Sequence, residues 1–346
     1  MTHPSDDTIN AHSAGACVMG CFQCLCSTLL LTCATPAFGE TAKALVYTAT
    51  AGFRHDSIPT AVQALRARGS ALNLDFQNTE DKGVFTDQGL EGYDIVIFLS
   101  TTGEVLDDTG KTAFQKYLNN GGNFVGIHSA SDTLNTTAFY GNELGAYFDY
   151  HPELQNATIV VLDASHPSTE NLPTDWPVRD EMYNFKSDPR SVGAIVILTV
   201  DESSYTDDGT RRFNQGEPHP IAWYQEHGAG VVSGGTAGRS FYTSLGHLNE
   251  SWEDELFMNH IMGGIQWTLQ ANTTRAFNSS ALVGNGGASS SASASVSQSP
   301  SSTSSISGTA SASSSAVVRF AETSSITFTA VLGVIISIVV IWPATL

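Results

Sequence analysis

Beyond residue 33 the chain contains no cysteine; all five, Cys17, Cys21, Cys24, Cys26 and Cys33, sit near its start. A body spanning residues 40–277 therefore has no disulfide, no thiolate nucleophile and no cysteine-ligated metal. Positive charge is scarce as well: 15 Lys and Arg face 34 Asp and Glu, for a formal charge of −19. Residues 1–39 hold two of those acids and residues 278–346 balance Arg319 against Glu322, so the body carries −17. Nucleic acid and anionic membrane surfaces both reward positive charge, and so acidic a body argues against both as partners. Neutral sugars stay admissible. No internal repeat is present, and no compact metal signature such as His-Glu-x-x-His occurs.

The two ends are set apart by composition. Cys21 to Cys26 suggest a metal knuckle at first sight, but they run into the apolar stretch Leu25–Leu31 and lack a second ligand pair. That stretch reads as the apolar core of a signal peptide, with Ala37-Phe38-Gly39 supplying small residues for cleavage before Glu40. The segment before it is long and acidic, so Met19 is an alternative start, and Met19-Gly20-Cys21 would then also permit acylation. At the other end, residues 278–316 are a Ser/Ala/Gly-rich stalk expected to be disordered. A spacer, Val317 to Ser325, leads to the apolar run Ile326–Trp342, which no Lys or Arg follows. This layout matches a GPI-attachment signal, with Ser314, Ser315 or Ala316 as the attachment site, ahead of a plain transmembrane helix. Sequons at Asn135, Asn156, Asn249, Asn272 and Asn278 fit passage through the secretory pathway. The expectation is a signal peptide over 1–39, a folded domain over 40–277, the stalk, and a membrane-anchoring tail over 317–346. Such a protein is an extracellular, cell-surface glycoprotein.

Within the body, Ala44–Tyr47 reads as a first strand and Ile58–Arg68 as a helix, with Ser57 as its N-cap and Gly69 as its stop. Leu72–Phe76 and Asp94–Ser100 are further strands. Asp107 or Asp108 caps a helix carrying Phe114, Tyr117 and Leu118, and Gly121-Gly122 ends it. Later strands are Thr158–Leu162, Ala194–Val200, Ile221–Tyr224 and Ser240–Leu245, and a helix over Glu253–Leu269 closes the domain. Strands and helices joined by short connections predict an α/β fold: a doubly wound, mostly parallel sheet with helices on both faces.

The most informative stretch is Gly121-Gly122-Asn123-Phe124-Val125-Gly126-Ile127-His128-Ser129-Ala130-Ser131-Asp132. A buried strand runs straight into small polar residues, as in a nucleophile elbow that exposes one side chain above the sheet. Here that side chain is His128. Ligands collect at the carboxyl ends of strands in open α/β sheets, which favours a site role for His128 over simple packing. His247, after its own strand, is the second candidate. His55 follows the first strand and either joins the site or caps the next helix. Ser129 and Ser131 read better as helix caps, and Asp132 can serve as cap and site carboxylate together. His151, His166 and His219 each precede proline and read as loop-shaping residues; His227 and His260 read as surface residues.

These residues carry a resemblance. Phe53-Arg54-His55-Asp56-Ser57, the Gly126–Asp132 elbow, Leu144-Gly145-Ala146-Tyr147-Phe148 and His151-Pro152 occur in order with His166-Pro167, Asp180–Phe185, His219-Pro220-Ile221-Ala222-Trp223 and Phe241–His247. Over roughly residues 43–270 this set resembles the trehalose-utilisation (ThuA-like) family. The resemblance implies a class I glutamine amidotransferase-like fold, also described as flavodoxin-like. In amidotransferases the elbow holds cysteine, and a later histidine completes a triad. By that analogy His247 stands at the triad position, Glu181 becomes a site candidate, and His128 at the elbow excludes glutaminase chemistry by the thiol route. The chain departs from the family in the stretch Val231–Gly238, which separates Gly228-Ala229-Gly230 from Arg239 and is expected to lengthen a hairpin tip away from the site.

Three readings of function follow. In the first, a carbohydrate-active enzyme uses His128 and His247 as acid and base, with Glu181 or Asp132 orienting them or binding hydroxyls. In the second, the domain binds a saccharide or cell-wall glycan without turnover. In the third, His55, His128, His247 and a carboxylate hold a divalent metal such as zinc that activates water. Tyr147, Phe148, Tyr183, Phe185 and Trp223 are either core residues or a sugar-stacking cluster. The first reading leads, with His128, His247 and at least one of His55 and Glu181 expected to line one pocket. Because the body lacks cysteine, dithiothreitol is expected to leave its melting temperature unchanged; a marked drop in a thermal scan would mean that the leader is retained and its cysteines pair.

Overall fold

Side chains alternate along a strand, and here the alternation sorts the apolar residues into two separate cores. On β1 (Ala42–Tyr47), Ala44 and Val46 enter one core while Leu45 and Tyr47 enter the other. The computed structural model describes residues 40–278 and Ala281. The leader and tail, and all of the stalk save Asn278 and Ala281, lie outside the described residues. After β1 come α1 (Ile58–Gly69), β2 (Leu74–Thr79), α2 (Asp87–Leu90), β3 (Ile95–Leu99), α3 (Asp108–Asn119), β4 (Asn123–Ile127) and α4 (Ala138–Leu144). The chain continues through β5 (Phe148–Tyr150), β6 (Gln155–Val161), β7 (Asp175–Asp180), β8 (Asn184–Phe185), β9 (Ile195–Val200), β10 (Pro220–Gln225), β11 (Ser240–Thr243) and α5 (Glu255–Leu269).

Nine strands form one mixed sheet in the order β2-β1-β3-β4-β11-β10-β9-β6-β7, and β5 pairs with β8 apart from it. From β2 to β11 every pairing is parallel, as the strand–helix rhythm predicts. From β11 onward every pairing is antiparallel. Helices cover both faces. Ile58, Ala61 and Leu65 of α1 pack in the first core with Met258, Ile261 and Ile265 of α5. Phe114 and Leu118 of α3 pack in the second with Tyr140 and Leu144 of α4.

Two local expectations are corrected, and one alternative is decided. Ser57 makes no side-chain cap; its hydroxyl donates instead to Gly246 O, 3.4 Å away. Gly69 does not stop α1, because its backbone stays right-handed and the chain tightens into a 3-10 turn over Ser70–Leu72. Asn73, at φ 54°, makes the left-handed exit. The cap of α3 is Asp107, whose Oδ1 accepts from Gly110 N at 3.0 Å. The stretch Val231–Gly238 meets the sheet's amino edge: Val232 N donates to Asn119 Oδ1 and Thr236 N to Asn119 O. It therefore lies at the opposite edge from the strand ends that carry the histidines.

Glu143, buried on α4, accepts from Gly230 N through Oε2 at 3.0 Å, while its Oε1 has no partner. Burial pushes its pKa up to about 8. The folded chain thus keeps this acid protonated where the unfolded chain ionises it, so stability is lost as pH rises from 4.5 toward 8. Glu143→Gln keeps an oxygen for Gly230 and removes the titration. The variant is expected to gain on the parent by up to about 1.4 kcal/mol per pH unit across that window. Urea unfolding at a series of pH values measures it.

Candidate functional site

β4 ends in extended backbone at Ile127, and the next residue, His128, turns left-handed at φ 55° before a 3-10 turn over His128–Asp132. A non-glycine residue held there is strained, as an elbow requires. Gly126 makes room behind the turn: a Cβ there would lie 2.7 Å from Leu144 Cδ1. β11 runs parallel beside β4, so Ser244 emerges next to His128. The His128 Nδ1–H donates to Ser244 O at 2.7 Å. A neutral ring bonded this way directs the lone pair of Nε2 away from the sheet.

Three other segments meet that lone pair. The loop after β1 is tied across the end of β3, where Gly52 N donates to Thr102 Oγ1 and Thr102 Oγ1 donates to Phe53 O. It places His55 Nε2 3.0 Å from His128 Nε2. Directly after β7 comes Glu181, with Oε2 3.7 Å from His128 Nε2 and 3.1 Å from His247 Nδ1. Directly after Gly246 comes His247. Ligand atoms of His55, His128, Glu181 and His247 all lie within 4.8 Å of one another, although the four residues come from widely separated parts of the chain. They are the one group of three or more such side chains, among the described residues, placed to hold a metal ion together.

The electrostatics divide this group. Burial, then the neighbouring His247, lowers the His55 pKa to about 4. Burial and the nearby His55 ring push His128 well below the usual histidine range. Both rings are neutral at physiological pH. His247 moves the other way, raised by the Glu181 carboxylate. Burial opposes ionisation of Glu181, but His247 and the other imidazoles together hold its pKa below the ordinary value.

Asp180, Tyr183 and His151 complete the surroundings. Buried Asp180 accepts from Gly246 N and Glu181 N at 2.8 Å each, and from His247 N at 3.4 Å. Gly246, at φ 128°, lets that turn form. Burial raises the Asp180 pKa to about 6. Tyr183 donates its hydroxyl to His128 Nε2 at 3.1 Å, and its carbonyl accepts from His219 Nε2 at 2.8 Å. His151 donates Nδ1–H to Pro152 O and brings Nε2 to 3.5 Å from Glu181 Oε1.

The sequence readings fare unevenly. His55, His128, His247 and Glu181 meet as expected. Asp132 does not join them; its Oδ1 accepts from Asn135 Nδ2 at 3.0 Å. Ser129 and Ser131 cap no helix: Ser129 Oγ lies 3.4 Å from His55 Nδ1, and Ser131 Oγ accepts from Tyr242 OH. His260 is buried rather than at the surface, and donates Nδ1–H to Ser168 O. Phe185 and Trp223 are core residues, whereas Tyr147 and Phe148 are half-buried. An open pocket around His128 does not form, because His55, Tyr183 and His247 close over the ring. Solvent instead reaches the group at His247 and His151, whose side chains are 21% and 33% exposed. Phe53, to which the sequence reading gave no role beyond its place in the Phe53–Ser57 motif, stands 66% exposed with its ring packed at a steep angle against His55.

A parallel half-sheet in the order β2-β1-β3-β4-β11, with a strained elbow at the carboxyl end of β4, defines a class I glutamine amidotransferase-like α/β protein, here with histidine at the elbow. The chain belongs to the trehalose-utilisation (ThuA) family, whose model matches residues 43–268. A ThuA-like protein of Bacteroides uniformis superposes with a TM-score of 0.54 at 20% identity, covering 70% of this chain and 97% of that one. One from Parabacteroides merdae gives 0.51 at 16%, covering 67% and 91%. No curated protein matches the chain. Asp180→Ala would leave three backbone N–H groups without their acceptor, and is expected to lower stability by at least about 2 kcal/mol in urea unfolding.

Proposed function

We propose that the chain is a carbohydrate-active enzyme that presents a substrate oxygen to the face formed by His247, Glu181 and His151. The convergence of His55, His128, Glu181 and His247 carries this reading. Perturbed titratable groups gathered from separate segments at one strand edge are candidates for a catalytic site. The family's link to carbohydrate, through the description "Trehalose utilisation", supports a saccharide or glycan as the substrate class. The absence of cysteine from residues 40–277 excludes thiol glutaminase chemistry.

Within this reading His128 is no proton shuttle. Its Nδ1–H is committed to Ser244 O and its ring is buried, so it serves as a fixed neutral acceptor. Its sequence-assigned role as acid or base passes to the accessible side of the group. Glu181, held ionised, and His247 beside it are placed to polarise and orient a sugar hydroxyl. The leader, stalk and tail support export, glycosylation and a C-terminal lipid anchor, which would put this site at the cell surface facing sugars or wall glycans.

Turnover of a disaccharide panel that includes trehalose tests the proposal. The parent chain is expected to convert at least one member. His247→Ala, with an unchanged melting temperature, is expected to lose about 10²–10⁴-fold in kcat/KM. Saturable binding without turnover by the parent would favour the non-catalytic binding module instead.

A further inference from the structure

We infer that His55 Nε2, His128 Nε2, His247 Nδ1 and Glu181 Oε2 form a site for one divalent first-row cation, zinc foremost. This deepens the proposed function by naming what polarises the substrate, and it rests on that reading only for the substrate.

The argument begins with protons. With Nδ1–H given to Ser244 O, His128 Nε2 offers a single lone pair. Two groups crowd it: Tyr183 OH at 3.1 Å and His55 Nε2 at 3.0 Å. If Tyr183 donates, two imidazole lone pairs can face each other at 3.0 Å, a repulsive contact unless a cation lies between them. On the other side, His247 Nδ1 is buried with no aligned hydrogen-bond partner, although Glu181 Oε2 lies 3.1 Å away. An imidazole nitrogen and a carboxylate oxygen this close form an ion pair when the ring is protonated and can be two ligands of one ion when it is not. Zinc bonds of about 2.0–2.1 Å at tetrahedral angles would separate neighbouring ligand atoms by about 3.3 Å. The contacts of 3.0, 3.1 and 3.7 Å bracket that spacing.

Surrounding bonds fit the same reading. Ligand imidazoles characteristically give their second N–H to a carbonyl or carboxylate, as His128 does to Ser244 O. His55 Nδ1 has Ser129 Oγ at 3.4 Å. Asp180 fixes the backbone of both Glu181 and His247 through their N–H groups. Three imidazole nitrogens and one carboxylate favour zinc or a neighbouring transition metal over calcium or magnesium, which take oxygen donors. Four protein ligands complete a tetrahedral set, so a substrate oxygen would enter as a fifth ligand, from the partly exposed side at His247.

The test uses the full chain with its leader cysteines alkylated, stripped with chelator and titrated with zinc or cobalt(II). One equivalent is expected to bind, to raise the melting temperature and, with cobalt, to give the visible absorption of a nitrogen-rich site of low coordination number. His247→Gln and Glu181→Gln, both at the accessible side, are each expected to weaken zinc more than about 100-fold, beyond the loss typical of an outer-shell partner. His227→Ala, exposed and distant in role, is expected to bind as the parent does. Absence of stoichiometric binding overturns the inference, as does unchanged binding in both site variants. Saccharide turnover that persists in chelator without metal would sink the cation and leave the enzyme reading standing. Tight zinc binding with no turnover of any saccharide would do the reverse.

Discussion

The bond from His128 Nδ1 to Ser244 O is the interaction on which the site depends. It joins the ends of two neighbouring parallel strands, β4 and β11, at equivalent positions in their register. It fixes the tautomer, so the other nitrogen becomes an acceptor aimed at His55, Tyr183 and Glu181. It also helps hold His128 in a backbone conformation that a non-glycine residue does not adopt for its own sake. Without the bond the tautomer would no longer be fixed, and the group would lose the acceptor at its centre.

The remaining residues reach this centre by different routes. His55 needs the loop after β1 to cross the end of β3, which the Thr102 hydroxyl secures by accepting from Gly52 N and donating to Phe53 O. Glu181 starts from β7, the far edge of the sheet, and arrives because Asp180 takes the backbone N–H groups of Gly246 and His247. A buried carboxylate that binds only backbone thereby joins the outermost antiparallel strand to the parallel half. Burial raises its own pKa, and the three N–H donors offset part of that cost.

Much of this was legible in the sequence, and the gaps have physical causes. The elbow could be read because a buried apolar strand running into small polar residues has few other outcomes. His55 and His247 followed from the rule that chemistry gathers at the carboxyl edge. The switch to antiparallel pairing on the far side of β11 in the sheet was not legible, since hydrophobic runs such as Ile195–Val200 show burial but not strand direction. Nor could spacing tell Asp180 from Glu181: adjacent carboxylates on extended backbone point opposite ways, and only tertiary contact decides which one faces the imidazoles. His260 was misread as a surface residue because its Ser168 carbonyl acceptor lies far away in sequence. Asp132 looked like a site carboxylate because it follows the elbow, yet a 3-10 turn carries it round to Asn135.

The ends of the sheet are as specific as its centre. β7 pairs on one side only, with β6, and its outward positions are Asp175, Pro177 and Arg179, all exposed. Proline has no N–H to offer a further strand, and the flanking charges resist a dry neighbour. At the other end β2 turns Asp75 and Gln77 to solvent. A nine-stranded sheet with bare apolar edges would template strand addition between copies. This one carries a proline at one edge and polar side chains at both, features that disfavour the addition of a further strand.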